Sequence, residues 1–410
     1  MSGHFRGWWI VAVAFVAQAI TIGLTIIPYG LFTTPIVEDF DTSIATVQGG
    51  LALFILVMTG AGSWIGGLLD HRSIRAIMTS GSLLMALCFL AMSLATELWQ
   101  LALLFGAGAG CSVAMAGPLA ATTVIAKWFD EKRGLAVGIA AMGPPAGGLL
   151  LTPLAGWLLG DLGWRGTLQV FACISALLAP FAWLVVRDTP GDVGQNVDGR
   201  DTDVPGQAMA TTPGWSAREI LSNRNFWGLA LALGIVFGLG GGWNANAPRF
   251  GEDLGYSLQY MSTLIGIAAG LGIPATLLFG TLADRYDNRS LLWFAIGMQT
   301  AALLLLWTLP GEALFTGAIL LFGFAGGGLL PVYAAFIGRL FGPASFGSVM
   351  GLAGLVMLPF GVGAPVVAGA VRDTVGSYES ALLAFALAFG VGASMLAWIR
   401  TRPSPAASTP

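Results

Sequence analysis

Twelve long apolar runs constrain the fold of this chain more than any other feature. They occupy approximately residues 8–33, 45–69, 74–95, 98–126, 134–160, 165–186, 225–247, 258–283, 289–309, 313–338, 346–371 and 378–399. An apolar stretch of about 18 residues or more has the length of a membrane-spanning helix. The pattern therefore predicts an all-α membrane protein with twelve transmembrane helices.

The charge content excludes several classes of protein. Charged residues make up 10% of the 410 positions, whereas a soluble domain carries about 25%. A net charge of -3 leaves no basic surface for nucleic acid. The three cysteines lie inside apolar runs without metal-ligand spacing, and no nucleophile–base pair is evident. We therefore expect no enzyme activity, no metal, no cofactor and no nucleic-acid partner.

The distribution of Arg and Lys predicts the orientation of the chain. With twelve spans both termini lie on one side, and fifteen basic residues share that side. They are Arg6, Arg72, Arg75, Lys127, Lys132, Arg133, Arg187, Arg200, Arg218, Arg224, Arg285, Arg289, Arg339, Arg400 and Arg402. Only Arg165, Arg249 and Arg372 lie on the other. By the positive-inside rule we expect a multi-pass inner-membrane protein with both termini cytoplasmic.

A polar segment divides the chain into two halves. Residues 188–215 are rich in Asp, Gly, Pro and Thr, a composition typical of a flexible linker. Ser216 and Glu219 then have the spacing of a capping box, which predicts a short surface helix. The predicted organisation is an N-terminal half (1–187), a linker with its helix (188–224), a C-terminal half (225–400) and a tail (401–410).

The two halves are related by an internal repeat. An offset of 214 residues pairs Tyr29 with Trp243, Glu38-Asp39 with Glu252-Asp253, Gly66 with Gly280, Asp70 with Asp284 and Arg75 with Arg289. After a one-residue slip, an offset of 213 pairs Pro118 with Pro331, Gly134 with Gly347 and Gly156 with Gly369. Ordered matches at a nearly constant offset indicate a six-helix repeat. We therefore predict two pseudo-symmetric six-helix halves related by an axis along the membrane normal.

Two loops support this fold and suggest a gate. Residues 66–75 and 280–289 resemble the cytoplasmic signature loop of the major facilitator superfamily. An Asp at a helix end can pair with Arg or with amide groups of a neighbouring helix in one conformation only. The alternative is a solvated loop. The predicted gating residues are Asp70, Arg72, Arg75, Arg133, Asp284, Arg285 and Arg289.

Residues 127–148 narrow the resemblance. An aromatic pair before Arg-Gly-x-Ala-x-Gly is similar to the entry of span five in monocarboxylate transporters and the oxalate/formate antiporter group. This resemblance implies a transporter that moves a small organic anion, expected as a monomer, by alternating access. One departure is that residues 258–283 contain no basic residue to hold a carboxylate. Residues 143–148 also resemble the GPxxGG motif of drug/proton antiporters, so efflux stays an alternative.

Proton coupling lacks an obvious group in the sequence. The acidic residues all lie in loops, in the linker or at span ends. An intramembrane carboxylate would be costly and a functional candidate by default. Its absence favours facilitation, exchange or coupling through a charged substrate, and leaves a co-transported proton open.

Polar and aromatic residues inside the spans are the candidate substrate contacts. Gln18, Thr21, Thr25 and Tyr29 fall on one face of span one, which indicates either a cavity lining or interhelical hydrogen bonding. Asn244 and Asn246 supply amides in span seven. The remaining candidates are Tyr333, Phe360 and, for attraction of an anion, Arg249 and Arg372. A carrier, a channel and a non-transporting sensor are the competing classes.

Overall fold

The computed structural model describes residues 5–199, 215–309 and 311–400, and within these ranges eleven helices are long and apolar enough to cross a membrane. These are α1 (Gly7–Phe40), α2 (Ile44–His71), α3 (Ile74–Ser93), α4 (Leu98–Trp128), α5 (Arg133–Val185), α7 (Arg224–Asp253), α8 (Leu258–Arg285), α9 (Asn288–Trp307), α10 (Glu312–Phe341), α11 (Phe346–Val375) and α12 (Glu379–Leu396). The short helix α6 (Ala217–Ser222) precedes α7. Residues 200–214 of the predicted linker and the tail, 401–410, lie outside the described residues.

Helix α5 crosses the bundle twice. Its 53 residues would extend about 80 Å as one straight helix, more than twice the thickness of a hydrocarbon core. Gly163, with φ of 65°, reverses the chain in a conformation that other residues rarely adopt. Trp128, before α5, donates a hydrogen bond to the carbonyl oxygen of Arg187, after α5, at 2.9 Å, so both ends of α5 lie at one face. The prediction of a twelve-helix bundle is confirmed.

The two faces of the bundle differ in charge. We call the face with Asp70 and Asp284 the basic face, because most Arg and Lys residues lie there. We call the other the acidic face. Its carboxylates belong to Glu38, Asp39, Asp41, Glu97, Asp161, Glu252, Asp253, Glu312, Asp373 and Glu379.

Each half has its own apolar core, because lipid offers no driving force for apolar side chains and tight packing holds the helices together. In the C-terminal half one continuous cluster runs from Ile220 to Ile399. In the N-terminal half there are two clusters, one around Phe54 and Phe105, the other around Trp128. The N-terminal half is therefore the less continuously packed of the two.

Glycines allow the central helices of each half to cross closely. A Cβ on Gly147 of α5 would lie 2.1 Å from the carbonyl oxygen of Ala19 in α1. A Cβ on Gly238 of α7 would lie 2.4 Å from Cβ of Phe360 in α11. Glycine at such crossings lets two backbones approach each other. In the N-terminal half both helices supply a glycine, since a Cβ on Gly23 of α1 would lie 2.9 Å from the backbone carbon of Gly147.

Two helices of the N-terminal half are irregular. Helix α1 changes after Pro28 to a 3₁₀ segment, Tyr29–Phe32. Helix α4 contains a π-helical segment, Leu104–Ala109. A π segment accommodates an extra residue within a helix. Since α4 and α10 begin 214 residues apart but Pro118 and Pro331 lie 213 apart, the one-residue slip of the repeat falls inside α4, where the π segment is.

Helix α6 begins at a capping box, as the sequence spacing predicts. The hydroxyl of Ser216 accepts a hydrogen bond from the backbone N–H of Glu219 at 3.3 Å, and the Glu219 carboxylate accepts one from the backbone N–H of Ser216 at 2.7 Å. Hydrogen bonds from Ser216 hold the pKa of Glu219 below its ordinary value. The cap fixes where the chain turns into the C-terminal half.

Candidate functional site

Helices α2 and α11 touch each other toward the acidic face and separate toward the basic face. A Cβ on Gly369 of α11 would lie 3.0 Å from the backbone nitrogen of Ala45 in α2. The glycines nearer to the basic face have open space at their Cβ positions. On the sides of the two helices that meet, where a Cβ on Gly361 of α11 would lie 3.6 Å from Ile55 of α2, these are Gly62 and Gly66 of α2 and Gly347 and Gly354 of α11. The gap between the halves therefore widens toward the basic face.

The second crossing between the halves, α5 with α8, has the same asymmetry. At the acidic end, a Cβ on Gly156 of α5 would lie 2.0 Å from the hydroxyl oxygen of Ser262 in α8. Near the middle, a Cβ on Gly272 of α8 would lie 3.5 Å from Cβ of Pro145 in α5. Gly134 and Gly138, closer to the basic face, have nothing within 4 Å. The space between the halves is thus closed at the acidic face and open at the basic face.

Polar contacts reinforce the closed end. The hydroxyl of Thr34 in α1 donates a hydrogen bond to Glu252 of α7, and Arg249 donates one to the same hydroxyl at 3.1 Å. The amide nitrogen of Gln48 in α2 donates to the carbonyl oxygen of Ala245 in α7 at 3.3 Å. These contacts join the two halves directly.

An ionic helix cap also joins the halves. The carboxylate of Asp373 in α11 accepts hydrogen bonds from the backbone N–H groups of Ile44, at 3.2 Å, and Ala45, at 2.9 Å. Both groups belong to the first turn of α2, where unpaired N–H groups and the helix dipole favour a negative charge. Asp373 therefore fastens the end of α11 to the end of α2.

The arginines predicted to attract an anion are paired in this conformation. Arg372 donates two hydrogen bonds to Asp253, at 2.6 and 3.0 Å. Arg249 lies 3.3 Å from Asp253 and 3.7 Å from Glu252. Carboxylates offset both charges, so these arginines act here as part of the closed contact. Their role in attracting a substrate stays a prediction for a conformation open at the acidic face.

The polar stripe of α1 points into the N-terminal half. Gln18, at 3% exposure, donates to the carbonyl oxygen of Ala140 in α5 at 2.9 Å. Thr21 and Thr25 donate to carbonyl oxygens one turn earlier in their own helix, and Tyr29 donates to the carbonyl oxygen of Val47. The described polar contacts of this stripe are hydrogen bonds within the half, and Thr25 and Tyr29 also border a cavity inside that half.

The two asparagines of α7 have different environments. Asn246 is fully buried: it donates to the carbonyl oxygens of Gly242 and Pro365 and accepts from Tyr378 at 3.1 Å. Asn244 is exposed. It lies one turn from Pro248, which packs against Gly30 of α1, so its face of α7 points toward the N-terminal half. Asn244 therefore has an amide available between the halves, and Asn246 does not.

The two aromatic candidates lie in the C-terminal half. Tyr333 is 3% exposed and belongs to the apolar core of that half. Phe360 packs on α7 at Gly234 and Gly238, close to the crossing of α11 with α2. Phe360 is therefore the nearer of the two to the space between the halves.

The predicted gating acids have no partner among the described residues at the basic face. Asp70 and Asp284 are exposed and make no ion pair or hydrogen bond there. The ends of α2 and α8 are held instead by cations of the same half: Lys127 donates to the carbonyl oxygen of Leu69, and Arg339 to that of Ala283. A latch is expected to lack its contacts in a conformation open at this face.

The five basic candidates of this face fall into two groups. Arg72, Arg133 and Arg285 are exposed. Arg75 stacks on Trp183 at 3.7 Å, and Arg289 donates to the carbonyl oxygen of Ile399. The first group lies exposed at the basic face, and the second group holds α3 and α9 to neighbouring segments.

Apart from Arg249, which the sequence suggested for another role, sequence reasoning did not select the residues that join the halves. Gln48 is fully buried and its side-chain oxygen has no hydrogen-bond partner among the described residues. A glutamine inside an apolar run was a usable signal, since such groups need partners. The pairing of Glu38-Asp39 with Glu252-Asp253 in the repeat was another. Neither signal shows which helix supplies the partner.

A two-half bundle with a gap open at one face has the architecture of a membrane transporter. The family model of the Major Facilitator Superfamily matches residues 13–361. The chain belongs to this superfamily, and it is a transporter rather than an enzyme.

Relatives and solved structures agree with the family. The chain is 29% identical to monocarboxylate transporter 11 of Homo sapiens, over 92% of this chain and 79% of the relative. It is 27% identical to monocarboxylate transporter 13 of Bos taurus, over 92% and 85%. A bacterial homologue of the human lysosomal transporter Spinster, solved in an inward-facing and unoccupied conformation, shares the fold. That comparison has a TM-score of 0.73 and 20% identity, and covers 97% of this chain and 95% of the other.

Proposed function

We propose that this protein moves a small organic anion, a monocarboxylate or a related acid, across the inner membrane by alternating access. The observation that carries the mechanism is the asymmetry of the space between the halves, which is closed at the acidic face and open at the basic face. The same two helix pairs, α2–α11 and α5–α8, form the closed end and border the open one. A rocking motion about these crossings would exchange the two ends.

The orientation follows from the charges. With the basic face in the cytoplasm, this conformation is inward-facing. Arg72, Arg133 and Arg285 at the open end give it a positive potential, which raises the local concentration of anions. The relatives named as monocarboxylate transporters support the same substrate class.

Asn244 is the residue we propose as a polar contact for the substrate. Its amide can donate to a carboxylate and can accept from a substrate hydroxyl. Because the described spans place no acidic side chain in the middle of the bundle, the substrate itself would be the main charge that moves. This arrangement favours facilitation or exchange.

Counterflow in proteoliposomes tests the proposal. Vesicles preloaded with unlabelled lactate should accumulate radiolabelled lactate, with saturation, while a neutral alcohol of similar size should not compete. Uptake of a lipophilic cation without uptake of lactate would favour the efflux alternative. Lactate binding without counterflow would favour a sensor, and non-saturating flux would favour a channel.

The resemblance of residues 143–148 to drug antiporters has a packing explanation. Gly143 and Gly147 are where α5 crosses α1, and a Cβ at either position would meet backbone oxygen atoms of α1 within 2.4 Å. Gly148 packs on Ala269 of α8. Helix packing thus accounts for the glycines, and the motif adds no independent support for efflux.

A further inference from the structure

The N-terminal half contains a cavity of about 260 Å³ that lies apart from the space between the halves. It is enclosed by the acidic-face ends of α1, α2 and α4, with α3 and the second arm of α5 behind them. All of its lining residues belong to the N-terminal half. It is therefore not the substrate space discussed above, and the inference below does not depend on the proposed substrate.

The lining of this cavity is apolar. Phe89, Phe105 and Phe171 form its inner end. The hydroxyls in the wall are already used, since Thr25 donates to Thr21, Tyr29 donates to Val47 and Thr46 pairs with Ser43. A polar ligand would lose its hydration without gaining partners. Only an apolar occupant is compatible with such a site, because apolar cavities stay dry and accept apolar guests.

The mouth of the cavity lies where the membrane interface is expected. It is bordered by Thr46 in the first turn of α2 and by Leu98 and Trp99 in the first turn of α4. Trp99 is 64% exposed, and exposed Trp residues concentrate at membrane–water boundaries. From Leu98 to Phe105 the cavity follows α4 for about 10 Å. The opening thus faces the lipid leaflet at the acidic face.

The equivalent place in the C-terminal half is filled. At an offset of 214, Thr46 corresponds to Tyr260, Ala102 to Thr316, Leu101 to Phe315 and Gly50 to Leu264. The hydroxyls of Tyr260 and Thr316 lie 2.6 Å apart, so they close the position of the mouth. Phe315 stacks on Tyr256 with ring centroids 4.5 Å apart. The cavity exists because one half carries small side chains where the other carries large ones.

The walls of the cavity are the irregular parts of the N-terminal half. Tyr29 and Phe32 come from the 3₁₀ segment of α1, and Phe105 comes from the π segment of α4. Such π segments occur frequently at functional sites. In the C-terminal half α7 and α10 are continuous α-helices over the same positions. The extra residue of α4 and the small side chains thus occur at one place.

We propose that this cavity, the α2–α4 pocket, binds one hydrocarbon chain of a membrane lipid that enters between α2 and α4. The lipid headgroup stays at the interface beside Trp99, and the chain lies along α4 toward Phe105. The chain also packs against Tyr29, next to Gly30, which contacts Ala245 across the closed end. The occupant therefore lies against the segment of α1 that joins the two halves.

Photolabelling tests this proposal. The protein is reconstituted with phosphatidylcholine that carries a diazirine near the end of one acyl chain, irradiated, and mapped by peptide mass spectrometry. We expect labelling of Met92, Leu101 and Phe105 well above that of their equivalents. Those equivalents are Leu306, Phe315 and Ile319. Equal labelling of the two sets would overturn the proposal.

The residues of the C-terminal half suggest substitutions that should close the α2–α4 pocket. Thr46→Tyr with Ala102→Thr copies the closure of the other half and should reduce labelling of the pocket residues to the level at Phe315. Ala102→Phe alone fills the pocket by another route, in case the double variant does not fold. Leu103→Phe, on the exposed side of α4, is the matched control and should leave labelling unchanged.

Tyr260→Thr gives the converse test. It removes the closure of the C-terminal half and should add labelling at Phe315. Unchanged labelling in both closing variants would contradict the proposal. So would labelling of the pocket by a water-soluble diazirine alkanol but not by the phospholipid, because that result would assign the pocket to soluble amphiphiles.

Discussion

The two halves share a topology but differ in how they are packed. The C-terminal half has continuous α7 and α10 and a sealed aromatic cluster at the acidic face, around Phe315. The N-terminal half has a broken α1, a π segment in α4 and a cavity at the same place. The difference shows that one repeat can be rigidly packed while the other keeps internal space.

What the halves have in common lies at their ends. At the acidic face, Arg165 donates to Asp39 at 2.7 Å in one half, and Arg372 donates to Asp253 at 2.6 Å in the other. At the basic face, Lys127 and Arg339 hold the ends of α2 and α8. At the basic face the same pairs of helices are joined in both halves, α4 with α2 and α10 with α8. At the acidic face the arginine that pairs with the first helix comes from the second arm of α5 in one half and from α11 in the other.

The largest expected effect is a difference in stability between variants of the two apolar cores. Phe315→Ala removes a fully buried ring from a sealed cluster and should cost about 3–5 kcal/mol of stability. Leu101→Ala, at the equivalent position, only enlarges an existing cavity and should cost about 2 kcal/mol. Thermal unfolding of the purified variants in one detergent measures both. Equal losses would mean that the two cores are equally well packed.

A second prediction concerns the contact between the halves. Gly369→Val drives a side chain into the backbone of α2 at Ala45. It should disfavour the closed acidic face by about 1–3 kcal/mol, the usual cost of overpacking. Accessibility of a cysteine introduced at Thr33 to an impermeant maleimide reports the opening. Gly363→Val, where the Cβ position has open space, is the control and should change nothing.

A third prediction separates binding from folding in α7. Asn246 holds α7 to α11 and to Tyr378, whereas the equivalent position in the N-terminal half is Phe32. Asn246→Leu should therefore lower stability by about 1–3 kcal/mol and leave substrate affinity unchanged. Asn244→Leu should weaken substrate binding by a similar amount without loss of stability. Thermal stability and equilibrium binding, measured on both variants, test this; the opposite pattern would remove Asn244 from the site.

The smallest effect concerns the acids at the basic face. If Asp70 and Asp284 form latches in the other conformation, Asp70→Asn and Asp284→Asn should each favour the basic-face-open state. The shift should be about 0.3–1 kcal/mol, as for a charge at a helix end. Transport should slow while ligand binding stays measurable. Accessibility of a cysteine at Gly138, equal in the variants and the parent, would contradict the latch.

Several features of this protein were predictable from sequence because they depend on local composition. The length of the apolar runs determines the number of crossings, since each backbone polar group in lipid needs a partner within the helix. The repeat offset indicates the two halves, and its one-residue slip marks the π segment of α4. The spacing of Ser216 and Glu219 predicts the start of α6.

Only the tertiary structure decided what each polar side chain does. The period of a helix placed Gln18, Thr21, Thr25 and Tyr29 on one face, but it cannot tell whether that face borders the interior of a half or the space between halves. Threonine hydroxyls in a helix also find a partner one turn back, so a polar stripe needs no cavity. The contacts of Gln48 and Asp373 with the other half join residues about 200 or more positions apart. Such pairs depend on how the two halves meet, which no local pattern records.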